Sequence, residues 1–341
     1  MYYDYKTVNR SFVSVSKKLK AKDITNHNWL LYLDNEELQG IDPYSPNLTQ
    51  IQKYKILIEC IQNPIYFYRE VIRIPYVDGS YLPLVLNLNI AARLYCSILG
   101  IPTLEMDCRQ SFKSHTSLCI MVYKFLFNVD KEMGIQSKDI LSSKRYLAAI
   151  SAMINHLPDY FRNYKEYSKN SVSLTILENN VFNNRILVLR SPKQSQESYD
   201  IAGNSILGSY TLIDDISFSP YFGDYMKSAW PKIHNYNIEY TITTGYYNTK
   251  TLNKMWFGYY HWNDNYYDMN PFDLVKLPSN HEPFIIHYEP EELLEKDQLR
   301  SLIKCLAYGP VDDTVLNRVR SELCIRPFDD TYEFKLEDYM S

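Results

Sequence analysis

The segment Cys108–Thr116 holds the side chains with the most specific chemistry in this chain. In it, Lys113 directly precedes Ser114. In such a pair the ammonium contacts phosphate oxygens and the hydroxyl contacts Mg²⁺, while the backbone amides of a following helix face the anion. The run Ile101–Met106 before it is apolar and strand-like, and Ser117–Phe127 after it is apolar and long enough for a buried helix. The order strand, turn, Lys-Ser and helix therefore predicts a phosphate-binding loop.

One residue of this loop departs from the pattern. The position before the lysine is ordinarily glycine, because the phosphates come close to the main chain there and a Cβ is in the way. Here that position is Phe112. Two alternatives follow for its ring. A ring that points outward leaves the anion cavity open, whereas a ring that fills the cavity abolishes binding.

A pair of acids follows a second apolar strand. Asp214 and Asp215 come directly after Leu212 and Ile213. An acid at such a strand end can hold Mg²⁺, and a second acid beside it can orient the water that attacks a phosphate. Acidic pairs also end strands without any such role, so it is the position downstream of a phosphate loop that favours the functional interpretation. The usual second acid is glutamate, and shortening it to aspartate displaces the carboxylate by about 1 Å, which can cost ~10²-fold in rate.

Three further residues are candidates for the same site. Arg109 could direct its guanidinium at the γ-phosphate, or it could pair with Asp107 or another acid. Thr243 and Thr244 end the next strand, where their hydroxyls could sense the γ-phosphate. Threonine is also favoured in strands for its shape alone, so both interpretations stay open.

Strands and helices alternate around these residues. Long or periodic apolar segments predict helices at 48–61, 88–99 and 139–157, and β-branched runs predict strands at 210–213 and 238–243. This alternation predicts a mainly parallel sheet with functional residues at the carboxyl ends of its strands. Beyond residue 270, a strand and an acidic helix predict a small α+β appendage.

The composition is that of a folded protein without a uniform charge. Of 341 residues, 45% are hydrophobic and 22% charged, and the net charge is -4. This excludes a uniformly basic nucleic-acid binder and leaves room for a local basic patch, for which Lys17–Lys22 is the only dense cluster. The six cysteines form no CxxC pair and are expected to be buried free thiols. No signal peptide is visible, and the most apolar stretch, Tyr81–Met106, is interrupted by polar residues and prolines, so no membrane association is expected.

Seven segments of the chain together resemble the ATPase domain of the large terminase subunit, the DNA-packaging motor of tailed bacteriophages. Arg109 and Gln110 resemble the arginine and glutamine that this family has early in its phosphate loop. The likeness runs from about residue 28 to residue 324, nearly the whole chain. In chain order the segments are Asn63–Glu70 with Arg73–Pro75, Arg109–Ser114, Asn155–Phe161, Gly203–Ser205, Asp214–Phe218, Ala229–Pro231 and Thr243–Thr249.

The resemblance implies an α/β fold. Its core would be a RecA-like, additional-strand P-loop NTPase with a largely parallel sheet, followed by a small C-terminal lid subdomain. The expected regions are a polar and basic arm at 1–23, the ATPase-like core at 24–270 and the lid at 271–341. No nuclease domain is expected, because terminases continue into one where this chain ends.

The resemblance also implies ATP and Mg²⁺ as cofactors. The implied roles are nucleotide binding by Arg109, Gln110, Lys113 and Ser114, metal binding by Ser114 and Asp214, catalysis by Asp215 and Arg109, and coupling by Thr243 and Thr244. The implied partners are double-stranded DNA, the phage portal protein, further copies of the chain in a ring, and a separate nuclease or small terminase chain. The implied location is the cytoplasm of an infected bacterium, at the procapsid portal.

Three departures from the family pattern leave a second alternative open. The glycine before the lysine is Phe112, the glutamate after Asp214 is Asp215, and Ala202 stands where the family has an arginine. The chain is therefore either the motor part of a split or truncated terminase, acting as an ATP hydrolase, or a catalytically inactive terminase-like protein with a structural or regulatory role. Binding and hydrolysis of ATP discriminate between these alternatives.

Overall fold

A computed structural model describes residues 2–76, 78–108, 111–169, 175–217, 219–245, 250–278 and 281–306, together with 319, 323 and 324. The strands are β1 (Tyr2–Tyr3), β2 (Tyr32–Leu33), β3 (Arg73–Pro75), β4 (Tyr81–Pro83), β5 (Thr103–Met106), β6 (Glu132–Ser137), β7 (Ser168–Lys169), β8 (Ile176–Asn179), β9 (Asn184–Val188), β10 (Tyr210–Asp214), β11 (Glu239–Thr244) and β12 (Phe284–Ile286).

The α-helices among the described residues are α1 (Arg10–Ala21), α2 (Gln50–Gln62), α3 (Pro64–Tyr66), α4 (Leu88–Ile98), α5 (Lys113–Phe127), α6 (Ile140–His156), α7 (Gln196–Gly203), α8 (Phe222–Tyr236), α9 (Lys250–Gly258), α10 (Pro271–Leu274), α11 (Pro290–Leu293) and α12 (Lys296–Leu306). A π-helical turn continues α3 over Phe67–Val71. Short 3-10 turns lie at His27–Leu31, Glu36–Leu38, Asp159–Phe161 and Asp264–Asp268.

Eight strands form the central sheet, in the order β12-β5-β11-β10-β6-β9-β8-β7. The strands from β12 to β9 run parallel to their neighbours, and β8 and β7 continue the sheet in antiparallel pairing. β11 lies between β5, which leads into the phosphate loop, and β10, which ends at Asp214. One strand is thus inserted between the strand of the loop and the strand of the acid, and the predicted α/β fold with a largely parallel sheet is confirmed.

The two faces of the sheet carry separate apolar cores. Successive residues of β10 point to opposite faces, so Leu212 belongs to one core and Ile213 to the other. Helices α4, α5 and α6 cover the first face, and α7, α8 and α9 cover the second. With both faces covered, the carboxyl ends of the parallel strands are left as the open edge at which polar side chains can meet.

The N-terminal residues differ from the expected arm. Residues 10–21 form α1, in which Phe12, Val15 and Leu19 are buried. These three residues recur at helical spacing and form one apolar stripe, while the lysines between them face outward. The prediction of an arm followed the basic composition of this segment and overlooked the apolar spacing of an amphipathic helix that packs on the core.

The region after residue 270 contributes to the central sheet. The strand predicted at Phe284–His287 is β12, Phe284–Ile286, and it pairs in parallel with β5. The boundary placed before residue 271 remains a prediction, and most of Val315–Cys324, the last segment assigned to the appendage, lies outside the described residues. No helix in the described ranges combines the length and apolarity that crossing a bilayer requires.

Candidate functional site

Lys113 lies where the ends of β5 and β11 meet. It is the first residue of α5, and its Nζ donates to the carbonyl oxygens of Thr244 at 3.0 Å and of Cys108 at 3.5 Å. A third, shorter hydrogen bond goes to the carbonyl oxygen of Asp107. Parallel strands bring their carboxyl ends to one edge, and the predicted meeting of Lys113 with the end of β11 at this edge is confirmed.

Asp214 is the centre of a cluster of hydroxyl groups. Its Oδ1 accepts from Ser114 Oγ at 2.8 Å and from Thr243 Oγ1 at 2.5 Å. Its Oδ2 accepts from Tyr146 OH at 2.6 Å and from Ser137 Oγ at 3.4 Å. The residue is only 3% exposed, so a buried carboxylate is held by four donors from four different elements.

The hydroxyl of Tyr146 stays a donor in this cluster. Burial, and then the neighbouring carboxylate of Asp214, raise the pKa of Tyr146 well above its ordinary value. A neutral phenol next to a carboxylate donates its proton in a hydrogen bond and keeps the aspartate available as an acceptor. Tyr146 therefore fixes one oxygen of Asp214 and leaves the other oriented toward Ser114.

The oxygen atoms of Ser114 and Asp214 fit a hard divalent cation. Mg²⁺ prefers oxygen ligands and is usually held by one or two carboxylates, with waters and substrate phosphates completing its shell. Across the described ranges, no group of three or more His, Cys, Asp and Glu side chains is placed to hold a metal. Ser114 and Asp214 are the residues that would hold Mg²⁺ at this edge.

Asp215 lies at the same edge with its side chain turned to the outside. It adopts a left-handed backbone, with φ of 54°, and its amide donates to the carbonyl oxygen of Thr243 at 3.0 Å. Its carboxylate is 40% exposed and lies 3.9 Å from Nζ of Lys138. The two adjacent acids thus occupy different environments, one buried and fixed and the other at the surface.

A cavity of about 1050 Å³ opens onto these residues. Its walls include the first turn of α5, the two acids and the exposed face of α12. Tyr76, in the turn after β3, and Lys138, just after β6, complete the rim. The volume is that of a small-molecule site, and the polar groups converge at its inner end.

Phe112 belongs to the wall of this cavity. Its ring packs against the adjacent apolar core and lies 6.1 Å, centroid to centroid, from the ring of His115. Its backbone has φ of 64° and ψ of 20°, the left-handed conformation that glycine adopts without strain. Of the two alternatives for the ring, the structure favours the first, since about 1050 Å³ remains open with Phe112 in the wall.

The remaining residues singled out in the sequence differ in whether the structure describes them and in whether they contact the site. Arg109 and Gln110 lie outside the described residues. Thr243 contacts Asp214 through its hydroxyl, whereas the hydroxyl of Thr244 bonds to the carbonyl oxygen of Gly245 at 2.9 Å and only its own carbonyl oxygen reaches Lys113. Ala202 is buried in α7.

Ser137, Lys138 and Tyr146 were not predicted as site residues. Ser137 ends β6 and Lys138 follows it, and this strand was not predicted, whereas Tyr146 lies on α6, a helix that was predicted at 139–157. One signal was present in Asp139, which caps α6 by accepting from the amide of Ser142 at 2.7 Å. A capping acid just after an apolar run marks the end of a strand and the start of a helix.

Comparisons with known proteins give no family model and no curated protein that matches this chain. Among solved structures, the chain is similar to the large terminase ATPase domain of Thermus phage P74-26, with a TM-score of 0.48 and 12% identity over 73% of this chain and 98% of that one. It is similar to the HK97 bacteriophage large terminase (TM-score 0.43, 11% identity, 73% and 52% of the two chains). It is also similar to a large terminase from a thermophilic bacteriophage in complex with ADP (TM-score 0.44, 11% identity, 70% and 52%).

The chain spans about half the length of the last two of these proteins. The three likenesses carry no assignment of individual residues. The roles of the side chains follow from their own contacts at the edge of the sheet.

Replacing Phe112 separates the effect of its ring from that of its Cβ. We expect Phe112→Gly to bind Mg²⁺·ATP about tenfold more tightly than the unchanged chain, about 1.4 kcal/mol, because it removes the Cβ that stands where the phosphates approach the main chain. Phe112→Ala removes the ring but keeps the Cβ and should gain less. Calorimetric titration measures both affinities, and no gain in either folded variant would contradict the expectation.

Proposed function

We propose that the chain is a Mg²⁺-dependent ATPase subunit of a phage DNA-packaging motor of the terminase type. One observation carries the proposal, namely that Ser114 Oγ lies 2.8 Å from Asp214 Oδ1, directly after the lysine of the phosphate loop. A hydroxyl and a carboxylate that meet beside a cation supply the oxygen ligands that Mg²⁺ shares with nucleotide phosphates. A purely structural hydrogen bond would not need the open cavity onto which both groups face.

Lys113 would bind the phosphates. Its ammonium is held by three carbonyl oxygens, and within the described ranges no carboxylate oxygen lies within 4.0 Å of it. Phosphate oxygens can therefore replace carbonyl oxygens without first breaking an ion pair. The amides at the start of α5 add partial positive charge at the same place.

The two acids would divide the remaining work. Ser114 and Asp214 would hold Mg²⁺, and a bound Mg²⁺ would neutralise negative charge on the phosphate that is transferred. Asp215, half-exposed at the mouth of the cavity, would orient the attacking water, with the ammonium of Lys138 3.9 Å from its carboxylate. Arg109 is proposed to stabilise charge on the γ-phosphate, as its place in the loop sequence implies.

The end of β11 would couple the nucleotide to the rest of the chain. The carbonyl oxygen of Thr244 accepts from Lys113, the hydroxyl of Thr243 donates to Asp214, and the carbonyl oxygen of Thr243 accepts from the amide of Asp215. If Lys113, Asp214 or the amide of Asp215 moved on hydrolysis, its hydrogen bond to the end of β11 would change and β11 would move with it. This supports the proposed coupling role of Thr243 and Thr244.

The proposed setting is that of a packaging motor. The chain would work in a homo-oligomeric ring on the phage portal in the cytoplasm of an infected bacterium, moving double-stranded DNA, with a nuclease or small terminase chain as a further partner. The ordered motifs of the sequence support this setting. The exposed lysines of α1 are the proposed contact with the DNA backbone.

Nucleotide binding tests the site. We expect calorimetry to detect Mg²⁺·ATP binding by the unchanged chain, and Lys113→Ala or Asp214→Asn to weaken it by at least tenfold, because each removes charge that faces the phosphates or Mg²⁺. Chelating Mg²⁺ should weaken binding by the unchanged chain to a similar degree. Lys227→Ala is the matched control, since this lysine is on α8 with an 80% exposed side chain and should leave the affinity unchanged.

Three results would be decisive for this proposal. Binding together with phosphate release that Asp215→Asn abolishes would support the ATPase. Binding without phosphate release, in the assembled ring with DNA, would favour the inactive structural or regulatory subunit. A folded chain without any affinity for Mg²⁺·ATP would rule out both the nucleotide site and the proposed motor.

DNA binding tests the setting. Lys17, Lys18 and Lys20 are exposed on α1, whereas Lys22 is engaged by Asp264 and Glu292. We expect weak, sequence-independent binding of duplex DNA by the assembled ring, and changing the three exposed lysines to alanine should lower the salt slope by about 3, close to one unit for each DNA phosphate that is no longer neutralised. Fluorescence anisotropy across a salt series measures the slope. Tight binding by the monomer at physiological salt, or an assembled ring that is indifferent to salt, would refute this.

A further inference from the structure

A fully buried arginine lies between the strand that leads into the phosphate loop, residues 107–112 of the sequence, and the helix that follows it. Arg93, on α4, has no exposed surface. Its Nη1 donates to Glu105 Oε2 at 2.7 Å and to the carbonyl oxygen of Lys113 at 3.0 Å. Its Nη2 donates to Ser117 Oγ and, at 3.4 Å, to Tyr210 OH. One guanidinium therefore touches β5, α5 and β10 at the same time.

The two contacts of Arg93 Nη1 lie on either side of the loop. Glu105 is on β5, two residues before the loop begins, and Lys113 is the residue directly after it ends. Ser117, one turn farther along α5, donates to the same carbonyl oxygen of Lys113 at 3.3 Å. The last residues of β5 and the first turn of α5 are thus bridged by the planar guanidinium of a single side chain.

We infer that Arg93 and Glu105 are positioning residues that hold the phosphate loop at the width needed for its ligand. The inference rests on the proposed function, since it concerns the loop of the same site. It goes beyond it, because neither residue touches the cavity and neither belongs to the loop pattern. If both ends of the loop are fixed before the phosphate binds, the loop loses less conformational entropy on binding.

The elements that a buried ion pair contacts distinguish a positioning role at the loop from a general contribution to stability. The chain holds a second buried pair for comparison, Arg69 with Glu70, joined at 2.7 Å and as inaccessible as the first. Arg69 reaches the carbonyl oxygen of Leu30 in the N-terminal region and makes no contact with the loop in the described ranges. Two buried pairs of the same chemistry thus differ in what they hold together.

The carboxylate of Glu105 also makes the bridge sensitive to pH. Burial raises the pKa of Glu105 to about 7, against the opposing effect of Arg93. Its Oε1 has no hydrogen-bond partner among the described residues, which adds to the cost of ionising it. The described titratable groups that face the pair are Cys96, Asp107, Lys113, Cys119, Tyr210 and Glu239.

Exchange of backbone amides tests the inference without any ligand. Removing one partner would leave a buried charge unpaired, so the variant to use is the double change Arg93→Met and Glu105→Leu, which replaces the pair by apolar side chains and is compatible with a stable fold. We expect at least tenfold faster hydrogen exchange at Thr116 and in the following turn of α5. The matched control is Arg69→Met with Glu70→Leu, which should leave exchange in α5 unchanged.

The affinity for Mg²⁺·ATP supplies the second measurement. The loop double variant should bind at least tenfold more weakly than the control variant at equal thermal stability. Unchanged exchange at α5 in the folded loop double variant would overturn the inference. If the unchanged chain binds no nucleotide, the proposed function fails, while the exchange result still decides whether the pair positions the loop.

A single change keeps the test decisive if the double variant does not fold. In the unchanged chain, protection of the α5 amides should fall as the pH rises to about 7, because the buried carboxyl of Glu105, whose pKa is raised to about 7 in the folded chain, binds its proton more tightly there than after local opening. Glu105→Gln cannot ionise, so its protection should stay flat over the same range. A fall of equal size in Glu105→Gln would assign the effect to another group and overturn the role of Glu105.

Discussion

The hydrogen bond between Ser114 and Asp214 is the contact on which the rest of the site depends. It joins the first turn of α5 to the end of β10, across the width of the strand that lies between β5 and β10. Because β11 occupies that middle place, its last two residues reach both Lys113 and Asp214. Without this inserted strand, the strand of the loop and the strand of the acid would be direct neighbours. No element between them would then contact both Lys113 and Asp214.

Buried charge is the second constraint on this edge. Asp107, at the start of the phosphate loop, is fully buried, and its two oxygens accept from Asn89 Nδ2 at 2.6 Å and from the amide of Tyr288 at 3.1 Å. Together with the Arg93–Glu105 pair, it ties the loop to α4 and to the segment after β12. Each charge away from water is tolerated because partners surround it, and those partners fix the loop in place.

Part of this architecture could be predicted from sequence because local order encodes it. An apolar strand followed by Lys113-Ser114, and another followed by Asp214, are adjacent patterns. Local sequence patterns could not identify Ser137 and Tyr146, because only tertiary packing brings their hydroxyls within hydrogen-bonding distance of Asp214. In α2 the apolar period predicts the helix but not its buried face, for Ile51 is 69% exposed and Glu59 is buried. Glu59 turns inward because its carboxylate accepts from the amides at residues 34 and 35.

The central claim is that the Ser114–Asp214 contact marks the place where a metal and a nucleotide's phosphates bind together. A crystal grown with Mn²⁺ and a non-hydrolysable ATP analogue tests it through the anomalous signal of the metal. The account predicts one strong anomalous peak within coordination distance of Ser114 Oγ or of a water held by Asp214, with the phosphates against Lys113. An analogue bound elsewhere, or a metal peak remote from both side chains, would contradict it.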